Sequence, residues 1–181
     1  MESDRQKKVT ERQDCDITFN ELVLQNNQKI YSLFRRMVST HEEADDLTQE
    51  TFIKVFKNFS RFKFQSSPYT WIYRIAVNTG INYLRRRKLK QYFGLDNFPE
   101  LRTSDVTEYT EERKTILRKA VAKLPAKQQM VVLLRSFQEL SFKEVADITS
   151  STENNVKVNF SHALRKLRMI LQDMGVKYET L

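Results

Sequence analysis

Apolar residues recur along this chain at intervals of three and four, the spacing of helices that bury one face. Phe19, Leu22, Val23, Ile30, Leu33, Phe34 and Met37 form the first such face, and Thr18 with Glu21 makes a capping box at its start. Thr40 with Glu43 opens a second helix, predicted from Glu42 to Asn58, with Phe52, Val55, Phe56 and Phe59 as its buried stripe. A break follows over 61–67. Ser67-Pro68 then sets an N-cap before a proline at the first helical position. The third helix is predicted from Pro68 to Tyr92, with Trp71, Ile72, Ile75, Ala76 and Leu84 inward. Gly80 inside it costs about 1 kcal/mol relative to alanine, which marks a close helix crossing.

The second half continues the helical pattern. Glu112 to Lys123 is predicted as one helix, and Leu124-Pro125 begins the next, with Met130, Val131, Leu133 and Leu134 buried. Ser141 with Glu144 caps a short helix holding Phe142, Val145, Ala146 and Ile148. Thr149-Ser150-Ser151 forms a polar turn, without the usual glycine. Thr152 then caps a longer helix with Val156, Phe160, Ala163, Leu164, Leu167, Ile170 and Leu171 on its apolar side. A short helix, a tight turn and a longer helix with basic and amide residues outward is a helix-turn-helix pattern, or else an ordinary helical hairpin. The fold class is all-α.

Composition removes whole classes of function. The only three glycines, Gly80, Gly94 and Gly175, stand far apart, so neither a dinucleotide-binding fingerprint nor a P-loop is possible. One cysteine and two histidines supply no metal cluster, disulfide framework or catalytic pair. Nothing near Cys15 would activate a thiolate. The sequence therefore points to a non-enzymatic protein without cofactor or metal. Residues 1–16 are charged throughout and read as a disordered tail, and no apolar run is long enough to enter a membrane.

The net charge of +8 is unevenly placed: residues 1–93 carry +6, 94–112 carry −5 and 113–181 carry +7. This divides the chain into a tail (1–16), a first domain (17–93), a flexible acidic linker (94–112), a second domain (113–175) and a short tail (176–181). Two basic domains suit a polyanion such as nucleic acid, although basic surface also serves solubility.

Two stretches carry a family resemblance. DDLTQETFIKVF (45–56) and YTWIYRIAVNTGINYLRRRK (69–88) resemble region 2 of the extracytoplasmic-function (ECF) sigma factors, the two-domain promoter-specificity subunits of bacterial RNA polymerase. LPAKQQMVVLLR, LSFKEVADI and the Val156-Lys157 pair, within 124–168, resemble their region 4. The resemblance implies two helical domains and three partners: core RNA polymerase, promoter DNA and a cognate anti-sigma factor. It also implies action in the cytoplasm.

It assigns roles residue by residue. Asp45, Asp46, Gln49 and Glu50 correspond to the face that docks core polymerase, although periodicity alone reads them as solvated surface. The loop FKFQSSPY (62–69) corresponds to the pocket for a flipped base of the −10 element. Phe62, Phe64, Tyr69, Trp71 and Tyr73 interleave with Lys63, Arg74, Arg85, Arg86, Arg87 and Lys88, which suits a melted strand: rings for bases, cations for phosphates. Phe62 and Trp71 read equally well as core. The expected −10 contacts are Lys63, Phe64, Gln65, Ser66, Tyr69, Trp71, Arg74, Asn78, Asn82, Arg85 and Arg86. Asn82 replaces a frequent Asp of the family.

For the −35 duplex the candidates are Asn154, Asn155, Lys157, Asn159, Ser161, His162 and Arg165, since amides read adenine and cations read guanine or phosphate. Asn159 and His162 stand where the family often has Arg, which implies an unusual promoter preference. The acidic linker reads as a self-repelling spacer, or, by resemblance, as an occupant of the polymerase channel that later carries RNA. A stand-alone helix-turn-helix regulator has no need of the first domain, and an RNA-binding protein has no need of the helix-turn-helix.

Overall fold

The computed structural model describes residues 18–93 and 108–176, with only the backbone described at 108–112 and 114. The tail 1–16, Cys15 and linker positions 94–107 lie outside the described residues. Seven helices are present among those described: α1 (Phe19–Arg35), α2 (His41–Phe59), α3 (Pro68–Tyr92), α4 (Glu108–Lys123), α5 (Ala126–Ser136), α6 (Phe142–Thr149) and α7 (Glu153–Asp173). The helix predicted from Glu112 begins at Glu108, inside the stretch read as linker.

Local chemistry starts these helices where expected. Thr18 accepts from the Glu21 N–H at 3.3 Å, and the Glu21 carboxylate accepts from the Thr18 N–H at 2.7 Å, closing the box that begins α1. Thr40 with Glu43 and Ser141 with Glu144 do the same for α2 and α6. The Ser67 hydroxyl accepts from the Thr70 N–H at 3.1 Å, with Pro68 in the first turn of α3.

Helices α1, α2 and α3 pack into one bundle, and α4, α5, α6 and α7 into a second. Leu22, Ile30, Leu33, Phe34, Val55, Ile72 and Ala76 are buried in the first; Leu124, Met130, Leu133, Leu134, Val145, Val156 and Ala163 in the second. Two expected core residues are not core: Phe56 is 65% exposed and Leu164 is 46% exposed. Trp71, which the sequence reads equally as core or as a strand-facing ring, is half-buried and packs against the core. For Phe56 the reason is angular. Ala44, Leu47, Thr48, Thr51, Phe52 and Val55 already fill the inward side of α2, which leaves Phe56 turned outward.

The bundles are not separate. Helix α3 packs against α1 and α2 on one side and against α5 and α6 on another. Its apolar positions therefore ring the helix instead of forming one stripe. Gly80 sits at that crossing: a Cβ there would lie 2.8 Å from Met37 Cε on one side and 2.8 Å from Met130 Cε on the other.

The turn between α6 and α7 solves its missing glycine at a cost. Ser150 takes the left-handed conformation itself (φ 50°, ψ 47°), a strain of about 1–2 kcal/mol for an L-residue. Ser150→Gly is therefore expected to stabilise the second bundle by about 0.5–1 kcal/mol after the added chain entropy is subtracted. Thermal unfolding should shift upward by about 2–4 °C; an unchanged or lower midpoint would place the strain elsewhere.

Candidate nucleic-acid and polymerase interface

The first expected surface lies on α2. Asp45, Asp46, Gln49 and Glu50 are all exposed. Glu50 pairs with Lys54 at 2.6 Å, and the Lys54 ammonium also donates to the Thr79 hydroxyl at 3.0 Å. At this exposure the ion pair contributes under about 1 kcal/mol. Ile53, 53% exposed, and Phe56 continue the line of Asp46, Gln49 and Glu50 by helical spacing. Phe56 meets the Phe19 ring edge-on, with centroids 5.2 Å apart. This face thus joins carboxylates to an apolar end, the composition of a docking surface more than of a solvated one. Sequence reasoning counted Phe56 as core and did not single out Ile53.

Loop 60–67 forms the second surface. Phe64 holds φ 52°, an uncommon value for a bulky residue. Strain of that kind gathers at functional loops. It props the Phe64 ring, 41% exposed, against Phe62 at 4.6 Å. Phe62 stacks on Trp71 at 4.5 Å and 19°, and Trp71 tilts against Phe59 at 6.4 Å. The result is a ladder of rings anchored at Phe59 and open at Phe64. Lys63 and Gln65 stand exposed beside it, with Ser66 half-buried.

Along α3, Asn78, Asn82, Arg85 and Arg86 are exposed, as a strand-tracking face requires. Tyr69 is half-buried, with its ring 4.4 Å from Tyr73 and the Lys29 ammonium 5.6 Å from its centroid. Lys29 comes from α1, so its place beside the aromatic group had no signature in the local sequence. Tyr73, read with the strand-facing rings, is instead fully buried, and its hydroxyl donates to Gln138 Oε1 at 3.1 Å. Burial raises its pKa far above the ordinary tyrosine value, with further contributions from Tyr69. It is a core residue. Arg74 is half-buried and its Nε donates to the Asp147 carbonyl at 2.9 Å.

The third surface is α7. Asn154, Asn155, Lys157, Ser161, His162 and Arg165 are exposed, and Asn159 is half-buried with its Nδ2 donating to the Asn155 carbonyl at 2.9 Å. Lys157 pairs with Glu153 at 2.7 Å. Val158, 53% exposed, falls on the line Asn154, Ser161, Arg165 and was missed because periodicity grouped it with neither face. The edge-on Phe142–Phe160 contact, 5.6 Å between centroids, sets α6 across α7 and leaves this face clear.

Among the described residues no group of histidine, cysteine or acidic side chains could hold a metal ion. No helix there is long and apolar enough to cross a membrane.

Comparison with known proteins agrees with this arrangement. Residues 22–90 match the family model for sigma-70 region 2, and residues 114–167 that for sigma-70 region 4. The RNA polymerase sigma factor YlaC of Bacillus subtilis is 35% identical, over 83% of this chain and 90% of its own. The ECF RNA polymerase sigma-E factor of Escherichia coli is 32% identical, over 77% and 78% respectively. In fold, the chain superposes on the sigma factor RpoE of Bartonella quintana, solved with the anti-sigma factor NepR. That match has a TM-score of 0.65 at 22% identity, over 85% of this chain and 96% of that one. With both sigma regions in order on one chain, the protein belongs to the ECF sigma factors of RNA polymerase, non-enzymatic factors that direct promoter recognition and transcription initiation.

Proposed function

We propose that this chain divides promoter recognition among the three surfaces described above, working in the cytoplasm with core polymerase. The observation that carries the division is their separation. The acidic-apolar face of α2, the ring ladder with the Asn78–Arg86 side of α3, and the polar face of α7 use different residues and do not overlap.

The face with Asp45, Asp46, Gln49, Glu50, Ile53 and Phe56 docks core polymerase, its carboxylates steering toward basic partner groups while the apolar end is desolvated. Loop residues Lys63 to Ser66, with Phe64 and Trp71, hold an unpaired base of the −10 element. Asn78, Asn82, Arg85 and Arg86 track its strand, with Tyr69 and Arg74 at the near end. Asn154, Asn155, Lys157, Asn159, Ser161, His162 and Arg165 enter the −35 major groove, where Val158 suits a thymine methyl. Asn159 is pre-oriented by its bond to Asn155, so Asn159→Arg should alter the −35 sequence recovered in a selection from random duplexes. An unchanged profile would remove it from the reading surface. A cognate anti-sigma factor is the expected negative partner.

The docking assignment is tested by Asp46→Lys combined with Glu50→Lys. Core polymerase binding in a competition assay should weaken about tenfold, while the melting temperature stays within a few degrees of wild type. Undiminished binding would move docking off α2.

A further inference from the structure

Where the C-terminal end of α3 meets α4 and α5, the chain encloses a cavity of about 490 Å³. Buried Met37 and Leu84 form its floor, and Arg87, Lys88 and Lys123 bring three cations to its walls. No carboxylate among the described residues lines it. Arg87 is partly offset, since its charge reaches Glu43. Neither Lys88 nor Lys123 forms an ion pair among the described residues. The Lys88 ammonium donates instead to a neutral group, the Leu124 carbonyl. Burial lowers its pKa below the ordinary lysine value, and the neighbouring Lys166 lowers it further. Cations gathered without a counter-charge repel one another and favour an anion from outside the chain.

Further features converge on the same place. A shallower hollow shares Lys88, Tyr92 and Lys123 with the cavity and adds Lys127 and Lys166. Pro125 and Ala126 border it at the start of α5, and no side chain caps that start, so its N–H groups add positive potential. Gln129 lines the cavity itself. It is 1% exposed, yet its Oε1 has no hydrogen-bond partner. A buried acceptor left unpaired is costly, so it marks a place for a donor that the chain does not supply. Tyr92, 84% exposed, sets an aromatic ring at the rim that the two hollows share.

We propose that this cavity binds a purine nucleotide carrying two or more phosphates. Lys88 and Lys123 hold the phosphates, with Lys127, Lys166 and the start of α5 taking those that extend into the second hollow. The base enters the cavity and donates an amino N–H to Gln129 Oε1, while Tyr92 offers a stacking face at the rim. The volume falls in the range of small-molecule sites. An inorganic anion would use the cations but leave Gln129 unpaired, and an apolar ligand would leave the cations unpaired. None of the residues assigned above to polymerase or −35 contacts takes part, and of the −10 residues Arg85 alone borders the second hollow.

The test is isothermal titration of the full chain without divalent cation, using GTP, ATP and inorganic tripolyphosphate as probes. At least one nucleotide should bind saturably at one site per chain, about fivefold or more tighter than tripolyphosphate. Lys123→Gln should weaken all three probes about five- to tenfold. Gln129→Leu and, separately, Tyr92→Ala should weaken the nucleotide about fivefold and leave tripolyphosphate unchanged. Tyr92 is exposed, so its variant reports on binding even where Gln129→Leu disturbs folding. No saturable binding by either nucleotide up to about 1 mM, or tripolyphosphate binding as tightly as both, would overturn the proposal. So would an unchanged affinity in Lys123→Gln, or displacement of the nucleotide by equimolar single-stranded −10 DNA, which would assign the groove to the strand.

Discussion

Glu43→Ala should destabilise the first bundle by about 2–3 kcal/mol, a large loss for a single polar change. Its Oε2 accepts from the Ser39 N–H at 3.1 Å, the Thr40 N–H at 3.2 Å and the Thr40 hydroxyl at 3.3 Å, and so closes the capping box of α2. Its Oε1 accepts from the Tyr83 hydroxyl at 2.7 Å, which ties that helix start to α3. Truncation removes the cap and strands the Tyr83 hydroxyl in a half-buried position. Glu43→Gln keeps the shape but not the charge, and should cost about half as much.

The pH dependence follows from the same contacts. Burial tends to raise the Glu43 pKa, but the bonds from Tyr83, Thr40 and Ser39 and the charge of Arg87 together bring it below the ordinary carboxylate value. A carboxyl depressed by folding contributes stability that is present above its unfolded pKa and is lost as pH falls through its folded one. Wild type should therefore lose stability faster than Glu43→Gln on acidification below about pH 4.5. Thermal melts of both proteins across that window check this; parallel curves would mean that the Glu43 charge does not hold the bundle.

Trp71→Ala should slow promoter opening roughly ten- to hundredfold while core polymerase binding changes little. Stacking on an aromatic face contributes about 1–3 kcal/mol per base, comparable with the cost of unstacking one. Trp71 is placed to supply that face indirectly and directly: it is half-buried, and it backs Phe62, which backs Phe64. Removing it collapses the ladder from beneath. Trp71→Phe retains a ring and should recover most of the rate. Permanganate reactivity of unpaired thymines reports opening, and a polymerase competition assay reports docking. Equal loss in both, or a matching fall in melting temperature, would make Trp71 a core residue only.

Much of the fold was legible because its signals are local. Each capping box depends on residues three apart, and each inward stripe on spacing within one helix, so sequence placed α1, α2, α3, α6 and α7 closely. What was missed depends on contacts between helices. Phe56 looks like core until the neighbouring positions of α2 are seen to fill the inward side. Tyr73 sits among strand-facing residues in sequence, yet Gln138, far along the chain, draws it inside. Lys29 joins Tyr69 across two helices. The early start of α4 was hidden by acidic residues, which read as linker but also suit the first turn of a helix.

The candidate sites divide in the same way. Exposed, helix-borne residues such as Asp46, Asn78, Arg85 and Arg165 stand where spacing put them. The two that changed meaning, Tyr73 and Arg74, lie on the one face of α3 that a second domain covers. No pattern within a single helix distinguishes a face that awaits DNA from one that already has a protein partner, because both favour aromatic and basic residues.

The most direct measurement is run-off transcription from a cognate promoter using purified core polymerase, with and without this protein. A discrete transcript is expected only when the protein is present. It should fall with Asp46→Lys and Glu50→Lys through lost docking, and with Trp71→Ala through lost opening. Absence of any promoter-dependent transcript, together with tight binding of duplex operator by the protein alone, would contradict the account and make the chain a stand-alone helix-turn-helix regulator.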